Sequence, residues 1–456
     1  MSSPRLALHW QILIGMAAGM VVGLLVNAFQ GPLDAARLAS PLLDDAAGFA
    51  SNANAFVGDM FLRCLRFIAV PVVLFSLVVG ASSLNDLRKL SRIGTRTVLL
   101  YLSTTAAAIS TGLLLANIVR PGSFLPAELR DRLASEVPAG VAEKVGGAAP
   151  SAWSTLLDLV PINPFEAIAD GNMLQVVVTA LAIGGALTLV REELSRPVIQ
   201  AAEGLTEAII KLVEAVMKLA PLAVFCLLAK VMAGMGLEVL GALAVYTVTV
   251  IVGLAIMTFG VYPTILRALA GIGPRRFFEA IAPAQLLAFS SSSSAATLPV
   301  TMDCVEKRLG VGEEVTAFVV PLGATINMDG TALYQGVAAV FIAQLFGVPL
   351  DLEDQLTIVL TATLASIGTA GVPGVGLIML VIVLQSVGMD EEVMKGGIAI
   401  IFGVDRLLDM CRTTTNVTGD AMVAAVVGAR EGDLLDEAQV RARRVAEELA
   451  GLDENP

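Results

Sequence analysis

Residues 401–427 read IFGVDRLLDMCRTTTNVTGDAMVAAVV, an apolar run carrying Asp405, Asp409, Arg412, Asn416 and Asp420 at spacings of four, three, four and four. On a helix of 3.6 residues per turn these spacings gather the five side chains within an arc of roughly 80°. An ionisable group at the middle of a lone membrane helix costs about 2.5–3.5 kcal/mol, so the stripe must face protein, water or a solute. The planar fork of Arg412 suits a carboxylate and Asp409 suits an ammonium group. Asn416 and Asp420 supply hard oxygens for a small cation. A structural ion pair between Asp409 and Arg412 accounts for two of these residues and leaves the others unexplained.

Two further groups lie upstream. TINMDGTALYQ, residues 325–335, sets Asn327 and Asp329 beside Gly330, where the glycine is expected to let the helix open and expose carbonyl oxygens. Oxygens of this kind suit a hard cation such as Na⁺, and a polar kink held by side chains is the plainer account. FSSSSSAATLPV, residues 289–300, runs five serines, Ser290 to Ser294, into an apolar context. Unpaired hydroxyls facing lipid cost a few kcal/mol each. Irregular backbone at membrane depth survives only inside protein or around a watery cavity. The serines therefore mark a cavity wall, or else a turn at the membrane surface.

Membrane helices must position these groups. Of 456 residues 56% are hydrophobic and 15% charged, and the mean hydropathy is +0.80; soluble domains run at roughly 45–50% and 25%. Windows of about 20 apolar residues, long enough to cross a core about 30 Å thick, recur along the chain. Spans are expected near 12–29, 55–84, 97–119, 174–190, 200–232, 239–266, 313–346 and 394–428. Two more apolar pieces, 278–308 and 356–387, are interrupted by SSSSSAATLP and SIGTAGVPG and read as re-entrant hairpins.

The net charge of −12 does not set orientation; Lys and Arg in short loops do. Arg5, then Arg88, Lys89, Arg92 and Arg96, then Arg267, Arg275 and Arg276 place the N-terminus in the cytoplasm. The segment from Pro121 to Trp153 then lies outside, although Arg120, Arg130, Arg132 and Lys144 run against the rule there. The tail from Arg430, with RARR at Arg441–Arg444, falls inside as a solvated helix. Cys64, Cys226, Cys304 and Cys411 are scattered singly, which suggests neither a disulfide framework nor a zinc site. The sole histidine, His9, precedes the first span, so His-based metal or acid–base chemistry is excluded. That first apolar stretch exceeds a signal-peptide core and is expected to be retained. No nucleic-acid partner is expected.

An internal echo joins the hairpins to the polar helices. Gly310–Val315 and Gly388–Val393 share G-x-x-E-E-V, and the same offset carries Asn327 onto Asp405 and the serine run onto Gly368–Val372. Paired interrupted segments in corresponding halves point to the midplane binding site of a secondary transporter.

SSSSAATLPVT, NMDGTALYQG, SIGTAGVPG and DMCRTTTNVTGD, in order and within residues 8–430, resemble the glutamate/aspartate transporter family of dicarboxylate/amino acid:cation symporters. The resemblance implies an all-α polytopic fold of eight transmembrane helices and two re-entrant hairpins in inverted repeats. It also implies a homotrimer held by helices one, two, four and five, and a transport domain that moves as an elevator. The corresponding division is 1–96 (scaffold helices 1–2), 97–120 (helix 3 of the transport domain), 121–235 (outer loop and scaffold helices 4–5), 236–430 (transport core) and 431–456 (cytoplasmic tail).

Carried over by motif, Arg412 clamps the side-chain carboxylate of the substrate, Asp409 takes its amino group, and Thr331, Thr413 and Asn416 complete the pocket. Ser292, Ser293 and Ser294, with Ala370 and Gly371, close it as hairpin tips. Asn327, Asn416 and Asp420 with the Gly323 carbonyl resemble one sodium site. Thr325, Ser366, Ile367 and Thr369 resemble a second, and Tyr101, Thr104 and Thr105 with Asn327 and Asp329 a third.

Neutral amino acid carriers lack an arginine at the position of Arg412, so acidic substrates are expected, L-aspartate first and L-glutamate second. C4-dicarboxylate carriers share less of the pattern. Gln335 stands where animal glutamate carriers have a glutamate tied to proton co-transport, which implies Na⁺ without obligatory H⁺. Ser292 and Met410 stand where archaeal and animal relatives place an arginine; Arg406, beside Asp405, is the candidate to compensate. The expected location is the plasma (inner) membrane. A channel would need a continuous polar pore rather than one compact charged site. An intramembrane hydrolase using Asp405 and Asp409, or a hairpin serine, would lack a histidine base.

Overall fold

The computed structural model describes residues 8–29, 41–83, 91–126, 128–129, 160–170, 173–366, 374–440 and 442. The first half contains α1 (Leu8–Ala28), α2 (Pro41–Ser83), α3 (Ser91–Val119), α4 (Pro164–Asp170), α5 (Met173–Leu187), α6 (Glu192–Met217) and α7 (Ala220–Met235). Next, α8 (Glu238–Ala255) passes through a π-helical turn at Ile256–Val261 into α9 (Tyr262–Leu269). Then come α10 (Pro274–Ser291) and α11 (Ser294–Asp303), the latter continued by a π-helical turn at Cys304–Leu309. The remaining helices are α12 (Glu313–Ile326), α13 (Asp329–Leu345), α14 (Leu352–Ser366), α15 (Val375–Ser386) and α16 (Glu391–Glu431).

The protein is a helical membrane protein. Large apolar side chains face outward along its helices, among them Leu25, Leu114, Ile118, Val248 and Phe259, a surface suited to lipid. By length and composition, three described helices can cross a membrane: Trp10–Ala28, Ile93–Phe124 and Glu238–Leu269. The bent pair α6–α7 makes a fourth if it is one span. The polar stripe of α16 keeps it outside that test, and the expected span 313–346 is two helices, α12 and α13.

Packing sorts the helices into two groups. In one, α1 lies along α7, and α2 packs against α5, α6 and α7. In the other, α3 packs on α13, and α16 is enclosed by α8, α9, α10, α12 and α13. The hairpin expected at 278–308 is present as α10 and α11 packed together, and α14 packs against α15 within the second expected hairpin. The groups meet where α16 touches α7, with Phe61 of α2 edge-on to Phe402 of α16 at 5.0 Å.

The span expected over 200–232 is not one rod. Its halves α6 and α7 are bent by 53°, and the break at Lys218–Leu219 directly precedes Ala220-Pro221. Proline has no N–H to continue the ladder of α6 and is well suited to the first turn of a helix, where Pro221 stands in α7, so one helix ends there and another begins. Close approach on α1 has a different cause. A Cβ on Gly19 would stand 2.5 Å from the Phe225 carbonyl oxygen, one on Gly23 2.6 Å from that of Ala229, and one on Gly15 would overlap that of Pro221. Both sets of positions rise together by four, so α1 and α7 run parallel along a small-residue seam. Gly19→Ala is expected to cost about 1–3 kcal/mol by overpacking. A lowered thermal unfolding midpoint in detergent is the readout, and an unchanged midpoint would show that the seam can spread freely.

The repeated G-x-x-E-E-V is a repeated junction. Gly310 and Gly388 have φ of 90° and 69°, and the caps Gly312 and Asp390 share a ψ of 151° before helices that open on two glutamates. Positive φ admits glycine readily, and acids in a first helical turn meet the favourable end of the helix dipole. The echo stops short of the next pair, because the chain breaks at Asn327 while α16 runs unbroken through Asp405.

The tail is not merely solvated at its start. After α16 the Gly312 N–H donates to the Asp433 carbonyl at 3.0 Å, and the Leu435 N–H to that of Gly310 at 2.8 Å. These bonds flank the antiparallel bridge Val311–Leu434. Arg276, at the start of α10, donates to the carbonyls of Leu309 (2.9 Å) and Leu435 (2.7 Å). Arg96 of α3 pairs with the Glu431 carboxylate at the end of α16. The stretch from Arg441 onward lies outside the described residues apart from Ala442.

Candidate substrate and cation site

Arg412 sits at the centre of the buried stripe, with 0% of its surface exposed. Its Nη1 donates to Asp405 Oδ1 at 2.9 Å and its Nη2 to Asp409 Oδ1 at 2.7 Å. The Tyr334 ring of α13 covers the guanidinium, 4.0 Å from Cζ to the centroid. Gly376 of α15 presses on it so closely that a Cβ there would stand 2.9 Å from Cζ. Its Nε has no partner. The cation is thus fixed by two carboxylates and one aromatic face, and an incoming carboxylate must exchange with one of its own. Asp409 also accepts the Gly374 N–H at 3.1 Å, and Arg406 Nη1 lies 3.5 Å from its Oδ2. Arg406 therefore reaches Asp409, not its neighbour Asp405. Thr413 turns its hydroxyl back onto the Asp409 carbonyl at 2.8 Å.

The second centre is the break between α12 and α13. Asn327 (φ −97°, ψ 88°) and Met328 (φ −113°, ψ 48°) leave helical geometry. The break frees carbonyls of the last turn of α12, the oxygens that a helix end normally leaves to water, side chains or a ligand. Gly330 does not cause it. That residue lies inside the first turn of α13, where a Cβ would stand 2.5 Å from the Arg412 carbonyl oxygen, so it serves the contact with α16. Its N–H donates to Asn416 Oδ1 at 2.7 Å, while Asn416 Nδ2 faces Thr331 Oγ1 at 3.4 Å and Met328 Sδ at 3.5 Å.

Asn327 Nδ2 donates to Asp420 Oδ1 at 2.9 Å, and its Oδ1 is buried without a partner. The Asp420 carboxylate and the Tyr101 hydroxyl both lie directly over Gly323. Tyr101 donates to the Val319 carbonyl at 2.9 Å. Asp329 takes the Thr105 hydroxyl at 2.7 Å and the Tyr262 hydroxyl at 2.8 Å. Thr104 and Thr325 turn their hydroxyls onto carbonyls of their own helices, Tyr101 and Leu322. α3, α9, α12, α13 and α16 thereby converge on carboxylate, amide and carbonyl oxygens.

The serine run supplies the tip between α10 and α11. Ser292 adopts the left-handed region (φ 53°), with its Oγ buried and unpartnered. Ser293 caps α11 by accepting the Ala296 N–H at 3.1 Å, and Ser294 is the buried first residue of that helix. Gln285 donates to Thr418 at 2.9 Å, and Ala284, Ala288 and Cys304 pack with Val417, which seats this hairpin on α16. Ser366 ends α14 with its hydroxyl on the Thr363 carbonyl at 2.8 Å. Ile367, Thr369, Ala370 and Gly371 lie outside the described residues.

Tyr262, Tyr334 and Gly376 are the site residues that sequence reasoning missed. A tyrosine in an apolar span reads as packing, and only the Tyr262-Pro263 step within a long span hinted otherwise. Buried charge, a broken helix and lipid-facing walls define a membrane transport protein. The chain belongs to the sodium:dicarboxylate symporter family, whose model matches residues 8–430. It is a transporter and not an enzyme. It is 33% identical over 433 residues to the proton/sodium-glutamate symport protein of Bacillus caldotenax, covering 95% of this chain and 96% of the relative. To the proton/glutamate-aspartate symporter of Escherichia coli it is 33% identical over 432 residues, 94% of each chain. To human excitatory amino acid transporter 2 it is 35% identical over 455 aligned positions, 89% of this chain and 77% of the relative.

Proposed function

We propose that the protein is a secondary active symporter that brings L-aspartate, and L-glutamate less well, into the cell with Na⁺. The reading rests on Arg412, a fully buried guanidinium held by Asp405 and Asp409 one helix away from a main-chain break. Such a cation favours a dicarboxylic solute, and relatives named as glutamate or aspartate symporters support that class. Arg412 receives the side-chain carboxylate, Asp409 the ammonium group, and Thr331, Thr413 and Asn416 the remaining polar atoms. Ser292, Ser293 and Ser294 close one side, and Ala370 and Gly371 the other.

Sodium, as cargo, takes the oxygens of Asn327, Asn416, Asp420 and Gly323 in one site, and of Tyr101, Thr104, Thr105, Asn327 and Asp329 in another. Thr325, Ser366, Ile367 and Thr369 supply a third. The group containing α3 and α8–α16 moves as an elevator against a scaffold of α1, α2 and α5–α7, through which three copies assemble. Both termini are cytoplasmic in the plasma membrane, and α16 with the two hairpins completes an eight-span, two-hairpin plan.

Coupling to protons is the competing reading, since relatives carry "proton" in their names. Uptake of radiolabelled L-aspartate into liposomes separates the two. An inward Na⁺ gradient alone is expected to drive accumulation. Accumulation with an H⁺ gradient alone would overturn Na⁺ coupling and keep the assignment of Arg412.

A further inference from the structure

Asp409 has an arginine one turn away on either side, in the pattern R-x-x-D-x-x-R formed by Arg406, Asp409 and Arg412. At about 100° per residue, Arg412 and Asp405 fall on one flank of Asp409 and Arg406 falls on the other. The contacts follow that division. Arg412 engages Asp405 and Asp409 at 2.9 and 2.7 Å, while Arg406 approaches the second oxygen of Asp409 at 3.5 Å, too far for a charge-assisted hydrogen bond.

Arg406 is nonetheless held inside the protein, with 11% of its side chain exposed and its Nε without a partner. Buried charged donors left unpaired are costly and need an acceptor from somewhere. Beside the guanidinium lies a small cavity bounded by Asp405, Asp409, Gly374 and Phe402, with Ile12 and Met217 from the other helix group.

The formal charges make the same point. Asp405, Asp409 and Arg412 sum to −1, and a dicarboxylic amino acid also carries −1, so those three residues alone would repel it. With Arg406 the cluster is neutral. We propose that Arg406 is a specificity-determining residue of this site: it neutralises Asp409 while the carrier is empty, yields that oxygen to the substrate ammonium, and turns to the second carboxylate of the substrate. This rests on the assignment of an acidic amino acid to Arg412 and Asp409. The loose contact is the one that exchanges, because the Arg412 bonds are shorter and more numerous.

The test is titration of purified protein in saturating Na⁺ with L-aspartate and, separately, with L-asparagine, which has the same shape and no net charge. Arg406→Gln is expected to weaken L-aspartate binding by about tenfold or more while changing L-asparagine binding by less than about twofold. Arg406→Lys, which keeps the charge, is expected to restore most of the L-aspartate affinity. Equal losses for both ligands, or a Lys variant as weak as the Gln variant, would show a merely structural residue and overturn the proposal. L-Aspartate affinity unchanged in Arg406→Gln would overturn it too. If the unaltered protein binds neither L-aspartate nor L-glutamate, the substrate reading itself falls, and this assignment with it.

Discussion

Arg412→Cys is expected to abolish binding and uptake of L-aspartate. The side chain is the only cation in direct hydrogen-bond contact with Asp405 and Asp409 among the described residues, and all three are buried. A dicarboxylate brought into that pocket would find Asp405 and Asp409 with only the loosely placed Arg406 beside them and no fork to receive it, and a buried charge without a partner is strongly disfavoured. The same change should destabilise the protein by about 3–5 kcal/mol, the usual cost of breaking a buried pair by removing one partner. Adding Asp405→Asn to Arg412→Cys is expected to recover part of the stability but none of the L-aspartate binding, since it removes the repulsion without restoring the receptor. Stability is read from the unfolding midpoint in detergent, and binding by calorimetry. Undiminished L-aspartate affinity in the single variant would refute the role given to Arg412.

Asp420→Asn is expected to flatten the dependence of substrate affinity on Na⁺. The carboxylate is 2% exposed, takes one hydrogen bond from Asn327 and stands over Gly323, beside the main-chain break. An amide of the same size keeps the packing and gives up the negative charge that a hard cation requires. Coupling between two ligands is typically worth about 1–3 kcal/mol, or 5–150-fold in affinity, and acts equally in both directions. The apparent L-aspartate affinity at high and low Na⁺ should therefore differ by roughly tenfold less in the variant than in the original protein. An identical Na⁺ dependence would remove Asp420 from the cation site.

Much of this site was legible before the fold was known, because helical periodicity alone aligns Asp405, Asp409, Arg412, Asn416 and Asp420. The serine run and the glycine-punctuated echo were legible for a related reason: polar or flexible residues at membrane depth need a special environment. Other features left weaker traces. Gly330, the most flexible residue nearby, marks the seventh span as breakable, but the break falls at Asn327 and Met328, where Asp420 and Asn416 on α16 satisfy the neighbouring groups. Tyr334 gives no signal, and Tyr262 only its proline neighbour, since an aromatic residue in an apolar helix looks the same whether it packs or donates. The bend at Lys218–Leu219 had only Pro221 to announce it. Gly15, Gly19 and Gly23 recur every four residues, yet their partner α7 lies some two hundred residues downstream and nothing local names it.

The join between Gly310–Gly312 and Asp433–Leu435 is made by main-chain groups, which are the same in every residue but proline. The stretch bearing the broken helix, the second hairpin and α16 is therefore a closed circuit, its neck tied by bonds indifferent to side-chain identity. The two strands of that neck nonetheless tolerate change unequally. On the tail side, the knot asks only for main-chain groups at 433 and 435, while Leu434 between them packs on the core. On the other side the residue types are constrained: Gly310 turns with a φ of 90°, Gly312 has the Asp433 carboxylate where a side chain would go, and Arg276 binds a carbonyl from each strand.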